Sequence, residues 1–416
     1  MTRLTQTETE TPSQPPARRT IIIAGAGIGG LTVALALAQR GFASVILEAA
    51  PRLEEIGAGI QLSPNATRIL IALGLHDALA PHIVAPASLR IMNGRSGKEI
   101  TRLPFGDAEA RYGAPFWVVH RGDLQRVLLN AVHAHPLINL RLGTAVAGHA
   151  VQADGVAVAA RWRDLRIQEN GAALIGADGL HSATRAALGI SAAPRFRGKS
   201  AWRATVSSAV MPKALAGTAT HLWLGPSAHV VHYPIQGGRA VNIVAITHDT
   251  REQAGWNTHR QSGELLTRLS RWTPDLRTLL ATITDWQTWS LYDLPVLKSW
   301  GKGPVTLLGD AAHPMLPFIA QGAAMAIEDA WTLAACVSQN PHIIGLALRE
   351  YENQRRRRTT AVARAAASTG RIYGLPRPLA DARNTVMRMM GDERLRARYD
   401  WIYDWRHGAN ALLGQE

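Results

Sequence analysis

Cysteine is nearly missing from this chain. Cys336 is the only one in 416 residues, which excludes an intramolecular disulfide and a thiolate cofactor site. Acidic residues fall short of basic ones, 31 against 45, leaving a formal charge of +14. Such an excess suits nucleic acid, an anionic membrane or the steering of small anions. Its distribution favours small anions, because the arginines are scattered except for Arg355 to Arg358, and no aromatic residues interleave that run for base stacking. The run itself reads as the solvated face of a C-terminal helix. A long uninterrupted apolar span is also absent. The stretch after Arg18-Arg19, to about Ala38, imitates a twin-arginine leader or an anchor, but five glycines fall between 25 and 41 and Gln39-Arg40 ends it early. Met1 to Ala17 carries glutamates and prolines, and residues 1–19 read as a disordered polar tail. Repeats, a second Gly-x-Gly-x-x-Gly unit, a serine nucleophile elbow, a metal-ligand cluster and a usefully spaced Cys–His pair are all lacking. With 47% apolar residues, a two-domain enzyme of the reducing cytoplasm is the expectation.

What is present begins at Thr20-Ile21-Ile22-Ile23-Ala24-Gly25-Ala26-Gly27-Ile28-Gly29-Gly30, with Glu48 closing the next apolar segment, Ser44 to Leu47. Gly25 permits a tight bend, Gly27 lets backbone N–H groups approach a pyrophosphate, and Gly30 lets the following helix, expected over 28–40, sit close to the sheet. That helix points its positive end at the phosphates. Glu48 stands where a carboxylate accepts both hydroxyls of an adenosine ribose and disfavours a 2′-phosphate. An adenine dinucleotide is implied; the motif does not settle which.

Further along, Gly57-Ala58-Gly59-Ile60-Gln61-Leu62-Ser63-Pro64-Asn65 reads as a loop capping a helix that runs to about Leu73. Short strands follow near 86–103, then Trp117 to Arg121 leading into helix 122–134, and strand 172–177 ending at Asp178-Gly179 before helix 182–188. Between about 195 and 295 alternating β segments contain many of the twelve tryptophans. Pro304 to Asp310 returns to buried parallel-strand character, a helix starts near Gln321-Gly322-Ala323, and helical patterns dominate from about 342. The predicted domains are a tail at 1–19; a discontinuous nucleotide-binding domain at 20–85, 105–190 and 295–345; a β-sheet domain at 86–104 and 191–294; and a helical region at 346–416.

Three dispersed motifs then carry a resemblance. Gly25-x-Gly27-x-x-Gly30 with Glu48, Gly176-Ala177-Asp178-Gly179 with Ser182 and Arg185, and Gly309-Asp310-Ala311-Ala312-His313-Pro314 with Gln321-Gly322-Ala323 resemble the three fingerprints of single-component FAD-dependent aromatic hydroxylases. Their order and spacing are similar to the class that includes salicylate hydroxylase, 3-hydroxybenzoate 6-hydroxylase and 6-hydroxynicotinate 3-monooxygenase. The resemblance implies an α/β fold: a Rossmann-like FAD-binding domain of the p-hydroxybenzoate hydroxylase type, an inserted, mostly antiparallel β-sheet substrate domain, and C-terminal helices. It implies tightly bound, non-covalent FAD, with NADH or NADPH as a transient reductant and O2 entering through a C4a-hydroperoxide. Cofactor contacts are expected at Gly25, Gly27, Gly30, Glu48, Arg121, Asp178, Asp310, Gly322 and Ala323. On the residues alone, Asp310 could accept a ribityl hydroxyl and the helix opening at Gly322 could favour negative charge on the flavin, while Asp178 could equally be a turn residue.

Oxygen transfer to a phenol is helped by a base near neutral pKa. His221 to Pro234 reads as a hairpin around Gly-Pro-Ser, with His229, Val231 and Tyr233 on one face and Val230 and His232 on the other. His229 and Tyr233, four apart, resemble the substrate-engaging pair of hydroxynicotinate and related hydroxylases, so His229 is the expected general base and Tyr233 a hydrogen-bond donor, with His232 the fallback. His313 is expected to be structural. Pro317-Phe318 departs from the hydroxybenzoate relatives, whose side chains there are often polar. Arg203 or Arg90 could pair with a substrate carboxylate. The expected partner is a small, anionic aromatic substrate, with neither nucleic acid nor membrane, and with a homodimer left open. A flavin oxidase or dehydrogenase on the same fold, inserting no oxygen, is the rival reading; a basic non-enzymatic binding protein is a more remote one.

Overall fold

The computed structural model describes residues 20–53, 58–250, 252 and 258–407. The predicted N-terminal tail and Gly57 lie outside the described residues. Five short apolar strands form a parallel sheet in the order Val305–Leu307, Ala173–Gly176, Ile21–Ala24, Ser44–Leu47, Ile138–Arg141. Alternation along the first strand assigns its two faces. Ile21 and Ile23 join the core shared with the helices Ile28–Ala38 and Gly322–Gln339, while Ile22 and Ala24 pack with Val156, Val158 and Ala160 of a three-stranded antiparallel sheet. A sheet covered on both faces explains why its strands read as continuous apolar runs.

The second layer is an eight-stranded sheet ordered Thr258–Gln261, Asp285–Asp293, Arg195–Ser207, Ala240–His248, Ala228–Ile235, Thr220–Gly225, Ser88–Asn93, Glu99–Pro104. All pairs are antiparallel except Thr220–Gly225 with Ser88–Asn93. One face buries Trp202, Trp223 and Trp286 against helices Ser262–Arg268 and Pro274–Ala281. Those two helices sit in a region expected to be β throughout; Leu265, Leu269, Leu276, Leu279 and Leu280 supply a helical apolar stripe there. The opposite face turns toward the parallel-sheet layer and the C-terminal helices Ile344–Tyr373 and Leu379–Ala397.

Two local readings are corrected. The segment expected as a loop at 57–65 contains a strand, Gly59–Leu62, paired antiparallel with Trp117–His120, followed by a helix at Pro64–Ala72 with proline in its first turn. The arginine run is not simply a solvated face. Arg355 is 1% exposed, and its guanidinium donates to Asp329 at 2.7 Å and Glu328 at 2.5 Å, while Arg358 reaches both oxygens of Glu328 at 2.7 and 2.8 Å. Arg357 alone of the four is exposed. The cause is the facing helix, whose adjacent acids Glu328 and Asp329 are both 0% exposed and need cations. Burial alone would raise the Asp329 carboxyl, but His313 and Arg355 outweigh it and hold it below the usual range.

Removing one member of a buried pair leaves its partner uncompensated, so Arg355→Ala is expected to cost about 3–5 kcal/mol, against within about 0.5 kcal/mol for Arg357→Ala. Urea unfolding of the two variants beside the parent measures the contrast.

Candidate active site

The glycine turn is shaped by close approach. Gly25 has φ +98°, and a Cβ there would meet the Ala177 carbonyl oxygen at 2.6 Å; a Cβ on Gly30 would lie 1.9 Å from the Gly25 carbonyl oxygen. Nothing stands within 4 Å of a Cβ built on Gly27, which faces open space. Glu48 accepts the Ala26 N–H at 2.7 Å and the Ala50 N–H at 2.8 Å, so it braces the turn and retains lone pairs for ribose hydroxyls. The helix Ile28–Ala38 starts beside Gly27 with no side-chain cap.

A cavity of about 420 Å³ separates the parallel-sheet layer from the large sheet. Gly27, Arg121, Asp310, Gly322 and Ala323 line it at one end. Helix Gly322–Gln339 opens there without an acidic residue in its first turn or a side-chain cap, which leaves its positive end available to an anion or a developing negative charge. Asp310 is enclosed by protein, yet its surface is open because it faces the cavity, and no described residue donates a hydrogen bond to its carboxylate. Burial raises its pKa, with His313 and Arg121 opposing. Asp178 is placed differently. Its oxygens accept from Ser182 Oγ at 2.6 Å and from Thr184 N and Oγ1 at 2.9 and 3.0 Å, fastening the short helix Ala183–Ala187, while its neighbours Ala177 and Gly179 line the cavity. These unpaired acceptors, uncapped helix starts and glycine clearances fit the ribityl, pyrophosphate and flavin groups of FAD.

The other end is floored by the large sheet. Its hairpin comprises Thr220–Gly225 and Ala228–Ile235, and His229, Val231 and Tyr233 face the cavity. His232 points to the reverse face, where it stacks on His221 at 4.6 Å. His229 lies between the rings of Phe318 and Tyr373, each 5.5 Å away. Burial, then Lys199 and Arg383, push its pKa down to about 3, so it is a neutral imidazole rather than a base poised near 7. Burial lifts the Tyr233 phenol, which stays protonated. Arg203 also lines the cavity, its guanidinium 3.6 Å above the Trp289 ring and its buried Nε without a partner. Burial, then Arg121, lower its pKa to about 9, with Tyr233 opposing. Arg90 is elsewhere, bonded to Glu99 at 2.7 Å. His313 contacts Asp329 at 2.5 Å beneath the cavity, as a structural residue would.

Sequence reasoning missed two contributors. Ser63, Asn65 and Gln321 form a buried hydrogen-bonded set in which Gln321 Nε2 donates to Ser63 Oγ at 2.8 Å and Asn65 Nδ2 donates to Glu328 at 2.6 Å. Their polarity within an otherwise apolar stretch was the available signal. The C-terminal helices add Tyr373, Leu395, Tyr399 and Tyr403 to the cavity wall, and the four-residue spacing of the last two tyrosines was its only trace. Among the described residues no group of acidic, histidine and cysteine side chains could hold a metal, and no helix is long and apolar enough to cross a membrane.

The model of the FAD binding domain family matches residues 18–366. The 3-amino-4-hydroxybenzoate 2-monooxygenase of Streptomyces cremeus is 36% identical over 395 residues, covering 94% of this chain and 96% of that protein. The 3-hydroxybenzoate 6-hydroxylase of Klebsiella oxytoca is 35% identical over 387 residues, covering 92% and 96%. Among solved structures, Klebsiella pneumoniae HpxO, complexed with FAD and uric acid, superposes with a TM-score of 0.81 at 28% identity over 91% of this chain and 95% of that one.

Gly30→Ala must displace the Gly25 carbonyl, and the purified variant is expected to lose most of its flavin, read from visible absorbance after desalting. Acid sensitivity follows from the histidines. His221, lowered to about 4, His229, lowered to about 3, and His232, lowered well below its ordinary value, stay neutral when folded, chiefly through burial. The unfolded chain takes up their protons near pH 6.5, so this stabilisation is complete above about 6.5 and is lost progressively as pH falls toward 4. The urea midpoint should drop between pH 7.5 and pH 5, and His232→Gln should flatten that drop.

Proposed function

The chain belongs to the FAD-dependent aromatic hydroxylases, and from that premise we propose that it hydroxylates a small phenolic or hydroxypyridine carboxylate, using reduced nicotinamide and O2. The observation that carries the reading is one continuous cavity, lined at one end by Gly27, Asp310 and Gly322 and at the other by His229 and Tyr233. Bound FAD supplies the electron acceptance from nicotinamide and the oxygen-transferring chemistry.

The residues that would hold it are Gly27, Glu48, Arg121, Asp310, Gly322 and Ala323, with Gly25 and Gly30 shaping the turn and Asp178 acting through the helix it fastens. The uncapped helix start at Gly322 favours negative charge at the cofactor's edge. At the sheet, Tyr233 donates a hydrogen bond to the substrate and neutral His229 accepts from its hydroxyl. Transfer of that proton to His229 leaves an anionic ring beside it, which raises the imidazole pKa and supports the ion pair in a low dielectric. Arg203, whose guanidinium meets the Trp289 ring and whose buried Nε has no partner, is the cation for a carboxylate. The apolar walls exclude the water that would divert the oxidising equivalent into peroxide. We also infer the nucleotide-binding and sheet domains at the boundaries predicted from sequence and a cytoplasmic location.

Purified protein is expected to be yellow and to place label from ¹⁸O2 in a ring hydroxyl. Label in no product would favour an oxidase or dehydrogenase. His229→Ala is expected to retain FAD while lowering single-turnover hydroxylation on the order of 10²- to 10⁴-fold; an unchanged rate across pH would remove the residue from its role.

A further inference from the structure

The register of the large sheet sets out a row of side chains along the cavity floor. Arg203 lies opposite Val244, Val244 opposite Val231, Val231 opposite Leu222, and Leu222 opposite Ile91. All five line the cavity. Neighbouring strands stand about 4.8 Å apart, so the row spans roughly 19 Å, and a single ring with its carboxylate covers less than two of its four spacings.

The two ends of the row differ in charge. Arg121, Arg203 and Asp310 are the guanidinium and carboxyl side chains among the described lining residues, and they lie close enough for Arg121 to act on both others. Tyr233 and His229 flank Val231 along its own strand, two residues to either side, at the middle of the row. From Val231 outward the floor is Leu222, Ile91, Leu89 and Leu103, and the roof is Phe318, Met387 and Leu395. Two cations reach His229 electrostatically from nearby, but both are engaged. Lys199 donates to the Gly370 carbonyl at 3.0 Å, and Arg383 donates to the Tyr373 carbonyl at 2.8 Å. The phenols of Tyr373, Tyr399 and Tyr403 also line the wall, but among the described lining residues no ion partner stands at the far end, so a charged substituent there would lose its hydration without one.

We propose that the substrate is a hydroxyaromatic acid bearing an apolar substituent, an alkyl or aryl group, which lies along Val231, Leu222 and Ile91 while the ring sits between Arg203 and His229. The inference rests on the hydroxylase reading and narrows its substrate class. A hydroxybenzoate without such a group would leave the outer half of the chamber unfilled.

The test is a titration of the FAD-loaded enzyme with hydroxybenzoates carrying linear alkyl chains of zero to six carbons at each free ring position, followed by flavin absorbance and by calorimetry. Burial of each methylene predicts a fall in Kd of roughly three- to fourfold at the favoured position, continuing until the row is covered. Leu222→Trp, which blocks the row midway, should abolish that dependence on chain length. A Kd that is flat or rises with chain length at every position overturns the proposal, and the series on the unmodified enzyme decides this even if the tryptophan variant does not fold. Because binding is read without turnover, the two readings fail separately. A chain-length gain with no hydroxylated product would refute the hydroxylase reading alone; hydroxylation of the bare ring with no gain would refute the substituent alone.

Discussion

The placement of the cofactor end depends on a buried knot of charge. Asp329 receives Arg355 at 2.7 Å, the Gly309 N–H at 3.1 Å and His313, while Glu328 receives Arg355, Arg358 and Asn65. Through these two acids the helix that opens at Gly322 is tied to the Gly309–His313 turn, to the segment after strand Gly59–Leu62, and to the long helix Ile344–Tyr373. Arg358 extends the tie to the Trp401 and Ile402 carbonyls at 3.0 and 2.9 Å. Dry ion pairs are a poor source of net stability, but they tolerate few alternative geometries. Here they fix the direction of a helix dipole and the position of Asp310 relative to it.

Local chemistry was legible in the sequence wherever one turn or one strand contains it. The glycine turn shows this, because Gly25 and Gly30 answer contacts made within a single βαβ unit or its immediate neighbour, while Gly27 faces the open space beside them. The hairpin shows it again: period-two alternation assigned His229 and Tyr233 to one face and His232 to the other, and the register bears this out. The return of the chain to the parallel sheet at Val305–Leu307 was visible as a short apolar run.

What could not be read arises between distant segments. Arg355 looks like its solvated neighbour Arg357 until the acids on the facing helix are in place. Asp178 sits in a motif that suggests a ligand contact, whereas its carboxylate fastens the first turn of the next helix. The electrostatic state of His229 is likewise a tertiary property, set by Phe318, Tyr373, Lys199 and Arg383, which lie tens to more than a hundred positions from it in the chain. Residue type suggested a near-neutral base; enclosure makes it a neutral acceptor that becomes basic only beside an anion.

The cavity wall also has an order in time. Synthesis proceeds from the N-terminus, so the turn at Gly25 to Gly30 and the sheet floor leave the ribosome well before Tyr373, Leu395 and Tyr399, which close the chamber. Nucleotide recognition is thus encoded early and the outer substrate wall last, in a segment that adds no strand to either large sheet. A lineage exchanging this terminal stretch by recombination would replace the outer wall in one event while keeping the glycine turn, Asp310 and the helix at Gly322, so long as the newcomer still offered Arg358 the carbonyls that Trp401 and Ile402 supply.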